Sequence, residues 1–170
     1  DLRPELKAAG IAFRGHSDTE VILEGCARWG VRATLEKLIG MFVFALWDRR
    51  EKRLVIARDR LGIKPLYWAK TANAFLFGSE LKALRQYPDC PSEIDRDAVA
   101  GFLRHNYIGG SKSIYRGVSK LEPGWMLSVR AEEEPTVEQF WSLDTVVAEA
   151  GKSPFDGTEE EAAGTLHNLL

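Results

Sequence analysis

Apolar positions near the start of the chain recur at helical spacing. Leu2 to Leu6 reads as a short helix ended by Ala9 and Gly10. Over residues 18–29, Val21, Ile22, Cys26 and Trp29 recur at about the 3.6-residue period of an amphipathic helix. Ser17 and Glu20 have the spacing of a capping box at its start, and Gly30 can terminate it. Residues 32–38 read as a second, shorter helix. At Gly40 the pattern changes. MFVFALWD is aromatic, β-branched and nearly continuous in apolar residues, which predicts a strand covered on both faces. Arg49 to Lys52 supplies a charged turn and RLVIAR returns, so residues 41–58 form a hairpin.

A second hairpin follows, with strands at 65–69 and 74–78 and a turn around Thr71 to Asn73. Residues 79–86 read as a helix with Ser79 as its N-cap, which puts Glu80 in the first turn, where the helix dipole favours a carboxylate. After a loop at 87–94, Asp95 caps a helix through about Arg104. Pro123-Gly124 makes a turn into a strand near 125–129, and VEQFWSL supplies another. The mixed stretch 144–157, with Gly151, Pro154 and Gly157, reads as a linker. Thr158 and Glu161 form another capping box, opening a helix still running at Leu170. Hairpins flanked by helices, with no crossover helix within 40–78, predict an α+β fold with mainly antiparallel pairing.

Composition narrows the function classes. The 170 residues are 45% hydrophobic and 28% charged, ordinary values for a globular chain of one domain, or one domain plus part of another. A net charge of −2 provides no electrostatic footprint for nucleic acid or an anionic membrane, and no apolar stretch is long enough to span a bilayer. Cys26 and Cys90 form no CxxC pair, and His16, His105 and His167 lie at no metal-ligand spacing. A reducing, cytoplasmic location and the absence of a metal site are the resulting expectations. Cys26 falls on the apolar face of its helix and reads as a structural thiol; Cys90 reads as a loop cysteine. The chain begins and ends in mid-pattern, so it is expected to be cut from a longer polypeptide.

The densest signal is Arg58-Asp59-Arg60-Leu61-Gly62-Ile63-Lys64-Pro65-Leu66-Tyr67, followed by Phe77-Gly78-Ser79-Glu80-Leu81-Lys82-Ala83-Leu84. Together with GHSDTEVIL and GMFVFALWD before them and SIYRGVSKLEPG after, in that order, this resembles the glutamine-hydrolysing asparagine synthetases. The resemblance implies a class II glutamine amidotransferase of the N-terminal-nucleophile hydrolase type, an αββα sandwich of antiparallel sheets, here incomplete. Residues 1–130 would be the amidotransferase domain without its N-terminal strands, 131–157 a connecting segment and linker, and 158–170 the start of the first synthetase-domain helix.

The family hydrolyses glutamine with an N-terminal cysteine and uses the ammonia, with ATP, to convert aspartate to asparagine. That cysteine, the Asn-Gly-Glu stretch, the arginine that binds the glutamine carboxylate and the Ser-Gly-Gly-x-Asp-Ser loop have no counterpart in these residues. No catalytic residue is therefore expected in the chain, and the chain alone is expected to be inactive. Asp18, in the Ser-Asp-x-Glu motif, is implied to bind the α-amino group of glutamine. Arg58, Asp59, Ser79 and Glu80 are expected either to form a structural network at the sheet and domain interface or to line the ammonia route. No cofactor is expected here; ATP and Mg would belong to the synthetase domain. The implied partners are L-glutamine and the chain's own synthetase domain, with a homodimer left open. The amide acceptor is open between aspartate and an intermediate of polysaccharide assembly. Two alternatives stand: another class II amidotransferase, or a non-catalytic amidotransferase-like module.

Overall fold

The computed structural model describes residues 2–131 and 133–169. The expectations that touch Asp1, Glu132 (part of an acidic turn) and Leu170 lie outside the described residues. Three helices come first: α1 (Arg3–Ala8), α2 (Asp18–Trp29) and α3 (Val31–Lys37). Gly30, at φ +84°, ends α2 and lets α3 begin at once. Then come the hairpins β1 (Val43–Asp48)–β2 (Arg53–Arg58) and β3 (Tyr67–Lys70)–β4 (Phe75–Gly78). The rest is α4 (Leu81–Leu84), α5 (Arg96–His105), β5 (Ser119–Lys120), β6 (Trp125–Arg130), β7 (Thr136–Gln139), α6 (Leu143–Lys152) and α7 (Glu159–Leu169).

The strands form two antiparallel sheets, in the orders β1-β2-β6-β7 and β4-β3-β5. Period-two alternation sorts their side chains into layers. Leu54 and Ile56 of β2 and Trp125, Leu127 and Val129 of β6 pack with Leu66, Trp68, Phe75 and Leu121, so the two sheets share one core. The intervening residues Ala57 and Met126 face the other way and pack with Leu35, Leu38 and Phe140, under α3. Beyond the smaller sheet, Ala69, Tyr67 and Leu76 pack with Leu81 and Leu84 of α4. The order helix, sheet, sheet, helix is the αββα sandwich, and the fold is α+β as expected.

Four local expectations are corrected. β1 is not covered on both faces: Ala45 and Trp47, which share one face, are exposed, Trp47 at 55%, and the fully buried run Val55–Ala57 belongs to its neighbour β2. Continuous hydrophobicity marked the right hairpin and the wrong strand of it. Ser79 is not a helix cap. Helix α4 is a single turn whose N-cap is Glu80, in extended conformation with no side-chain cap. Residues 144–157 are not irregular throughout, because α6 occupies their first part. Ser142 accepts the Thr145 amide at 3.4 Å, and Leu143, Val146 and Val147 recur at helical spacing although none is buried. Of the residues that suggested a linker, Gly151 lies in the last turn of the helix, and Pro154 and Gly157 lie beyond it. Finally, Ser17 and Glu20 do not close a capping box, as described below. The box at Thr158 does close: Glu161 Oε2 accepts the Thr158 amide at 2.8 Å and Thr158 Oγ1 accepts the Glu161 amide at 3.3 Å.

The junction of the larger sheet rests on Gly124. Its carbonyl accepts the amides of Phe140 (2.9 Å) and Trp141 (3.1 Å), while its own amide donates to the Asp59 carbonyl at 3.0 Å. Its φ of +74° suits glycine, and a Cβ there would collide with the Trp141 backbone carbonyl. Gly124→Ala is therefore expected to destabilise the chain by about 3 kcal/mol, from left-handed strain plus overpacking. Denaturant unfolding of the variant beside the parent checks this.

Candidate functional site

The first candidate region is built on the loop that enters α2. Arg3 donates to the carbonyls of Gly15 (3.0 Å) and Ser17 (3.2 Å), with its guanidinium 4.4 Å from the centre of the Phe13 ring. Ser17 caps the helix by accepting the Thr19 amide at 3.1 Å. Glu20 turns back past the cap and accepts the amides of Arg14 (2.7 Å) and Gly15 (2.9 Å). Those bonds, the Arg14 amide foremost, hold the Glu20 pKa below the ordinary glutamate value. The Ser-Asp-x-Glu motif thus uses its glutamate to fix the loop and not to close a box.

Asp18 is the first residue of this helix and is exposed. Its carboxylate makes no hydrogen bond or ion pair with the described residues. It borders a cavity of about 300 Å³ whose other walls include Val21, Ile22, Lys37, Met41 and Phe42. Lys37, the lysine of that wall, is already engaged: its Nζ lies 2.7 Å from Glu5 Oε1 and 4.9 Å from the centre of the Trp29 ring. The site therefore offers a pre-positioned anion beside an apolar wall, a combination that suits the ammonium end of a small zwitterion. Sequence reasoning named Asp18 but missed Met41 and Phe42. The signal available for them was their place at the entry to β1, which motif reading treated as strand core.

The second candidate region is the turn after β2. Asp59 is fully buried, and its two carboxylate oxygens accept the amides of Ile63 (3.0 Å) and Lys64 (2.9 Å). Its backbone closes the same knot. The amide donates to the Phe42 carbonyl at 2.9 Å, and the carbonyl accepts the amides of Gly62 (3.1 Å) and Gly124 (3.0 Å). Arg58 works from the other side, donating from Nε to Lys64 O (2.7 Å), from Nη1 to Leu121 O (2.6 Å) and from Nη2 to Gly62 O (2.6 Å). Gly62 has φ +67°, and a Cβ there would lie 2.6 Å from Pro123 Cγ. Burial opposes the charged form of Asp59, but the amides of Lys64, Ile63 and Gly62 outweigh it and leave the pKa below the ordinary carboxylate value.

Ser79 and Glu80 stand apart from this turn. Glu80 pairs with Lys82 at 2.5 Å on the surface, and no hydrogen bond or ion pair among the described residues ties either of them to Arg58 or Asp59. Lys120, which sequence reasoning passed over, does reach the turn's surroundings: its Nζ donates to the Ile108 carbonyl, and burial, then the charge of Arg58, push its pKa down. The two cysteines make poor nucleophiles. Cys26 is buried, and burial raises its thiol pKa; Cys90 is half-buried, with its sulfur 3.8 Å from the Pro91 carbonyl. Among the described residues no group of three or more His, Cys, Asp or Glu side chains could hold a metal ion, and no helix is long and apolar enough to cross a membrane.

Comparison with known proteins adds a family and a fold. A profile described as a glutamine amidotransferase domain matches residues 1–141. The chain is 34% identical over 162 residues to asparagine synthetase [glutamine-hydrolyzing] 3 of Bacillus subtilis (strain 168), covering 93% of this chain and 25% of that protein. It is 36% identical over 146 residues to a putative asparagine synthetase [glutamine-hydrolyzing] of Mycobacterium tuberculosis (strain ATCC 25618 / H37Rv), covering 83% of this chain and 22% of that one. The chain thus spans about a quarter of the length of these curated relatives. Among solved structures it superposes on the allosteric regulatory enzyme of purine biosynthesis, with a TM-score of 0.58 at 25% identity, covering 84% of this chain and 26% of the other. It superposes also on glutamine phosphoribosylpyrophosphate amidotransferase from B. subtilis, solved with ADP and GMP (TM-score 0.54, 24% identity, 84% and 26% coverage), a likeness of fold.

The Asp59 knot makes a pH-dependent prediction. A folded-state pKa below the unfolded value contributes stability that is fully present above the ordinary carboxylate value of about 4 and lost as pH falls through the lower folded value. Asp59→Asn is expected to lower stability at neutral pH by about 2–3 kcal/mol. Denaturant midpoints measured at neutral and strongly acidic pH are expected to converge for the two proteins at the acidic end.

Proposed function

The chain belongs to the glutamine amidotransferase domain family, and from that premise we propose that it supplies the glutamine-binding wall of a glutamine-hydrolysing asparagine synthetase. The observation that carries the reading is the Asp18 carboxylate. It is fixed by a loop tied through Arg3 and Glu20, it has no hydrogen-bond or ion-pair partner among the described residues, and it borders a cavity of the right scale for an amino acid. In this reading Asp18 accepts the α-ammonium of L-glutamine in a charge-assisted bond, and Val21, Ile22 and Phe42 exclude water from one side of the ligand. Attack on the side-chain amide requires an activated nucleophile; Cys26 is buried, with burial pushing its thiol pKa up, and Cys90 is half-buried. The nucleophile, and the ATP- and magnesium-dependent amidation of aspartate, are assigned to other parts of the full enzyme. The Arg58–Asp59 turn acts as scaffold: every polar side-chain atom of the two residues is engaged by a backbone group, and Asp59 is fully buried. A cytoplasmic enzyme working with its own synthetase domain completes the proposal.

Asparagine synthesis is preferred over another class II amidotransferase because the sequence relatives, at 34% and 36% identity over most of the chain, are asparagine synthetases, whereas the purine enzymes share the fold at 24–25%.

Two outcomes are expected. In the intact enzyme, Asp18→Asn raises the glutamine KM about tenfold or more, the loss of one charge-assisted bond, and leaves ammonia-dependent asparagine formation unchanged; an unchanged glutamine KM removes Asp18 from the site. The 170-residue chain alone releases no ammonia from glutamine. Turnover that survives both Cys26→Ala and Cys90→Ala would contradict the cysteine mechanism.

A further inference from the structure

A second cavity lies away from Asp18, between α2 and the β1–β2 hairpin. It has a volume of about 450 Å³. Its walls are apolar, from Leu23 and Ala27 of α2, Leu46 of β1 and Val55 of β2. At its hairpin end stand three arginines, Arg49, Arg50 and Arg53.

None of the three makes a side-chain hydrogen bond or ion pair with the described residues. The contrast with their neighbours is informative. Arg130, opposite Arg53 across the β2–β6 pair, is matched by Glu51 at 3.2 Å, and Arg32 on α3 is matched by Glu36 and Glu138. The one carboxylate of this cavity, Asp48, is committed to the hairpin turn, accepting the amides of Arg50 (2.9 Å) and Glu51 (3.0 Å). Arg53 also carries a buried Nε with no acceptor among the described residues. Buried donors are as a rule met by an acceptor, and an anion in the cavity would supply one.

We propose that this cavity binds a small free carboxylate with an apolar tail, its head group held by Arg49, Arg50 and Arg53 and its tail lying along Leu23, Ala27 and Leu46. Charge complementarity selects an anion, because three cations face one already-bonded carboxylate. The apolar walls select a ligand with a tail, since a bare anion would leave them wet. The volume lies within the range of small-molecule pockets. Arginine suits the task because its planar fork pairs with both carboxylate oxygens at once. The ligand is a single molecule in solution, because a cavity of about 450 Å³ encloses one tail and not a lipid surface.

The test is equilibrium dialysis of the full chain with radiolabelled decanoate, with acetate and decanol as comparison probes and far-UV circular dichroism on the same samples. Decanoate is expected to bind with one-to-one stoichiometry, to bind more weakly as salt rises, and to exceed acetate and decanol. Arg49→Gln combined with Arg50→Gln alters two exposed turn positions and is expected to weaken binding about tenfold. Ala27→Phe fills the groove from an exposed helix position and is expected to abolish binding with the circular dichroism spectrum unchanged. The proposal is overturned if decanoate does not bind, if both variants bind as the parent does, if acetate binds equally well, or if phosphatidylglycerol vesicles bind the chain while monomeric decanoate does not.

Discussion

The junction between the two sheets is organised around the buried carboxylate of Asp59. A charge removed from water needs partners, and Asp59 takes the amides of Ile63 and Lys64 while Arg58 takes the carbonyls of Gly62, Lys64 and Leu121. The two side chains do not consume each other. They divide the work, one gathering N–H groups and the other C=O groups of the same few residues. The result ties the end of β2 to the start of the second sheet through residues 62–66, and to β6 through Gly124. Two sheets that share a core also share this junction.

The same knot reaches the candidate glutamine site. The Asp59 amide donates to the carbonyl of Phe42, and Phe42 lines the cavity beside Asp18. A continuous run of covalent and hydrogen-bonded groups therefore connects the densest motif of the sequence with the wall of the ligand cavity. This gives the motif a physical purpose without assigning it any contact with substrate. It also explains why an arginine and an aspartate suit adjacent positions here: one gathers carbonyls and the other amides of the same backbone turn.

Much of the fold was legible. Periodicity located α2 to the residue, an apolar run with a charged turn located the first hairpin, and two apolar runs about Thr71 to Asn73 located the second. The failures have one cause. Burial of a strand, capping by a serine and the state of a linker depend on what packs nearby, and a local pattern does not carry that information. MFVFALWD is apolar enough for an interior strand, yet Ala45 and Trp47, which share one face, are exposed. Ser79 has a good cap's chemistry, but the chain is still extended at Glu80 when α4 begins. At the site, Asp18 was legible through its motif, whereas the lack of a partner for its carboxylate among the described residues was not. That depends on Lys37 being drawn to Glu5, a matter of three-dimensional arrangement.

The central claim is that Asp18 is the anion that receives the ammonium group of glutamine. The most direct test is a crystal structure of the intact enzyme, with its nucleophile blocked by substitution and L-glutamine bound. The account predicts the α-nitrogen within about 3 Å of an Asp18 carboxylate oxygen, with Phe42 and Ile22 beside the ligand. Glutamine bound elsewhere, or bound with its ammonium on another anion while Asp18 stays free, would contradict it.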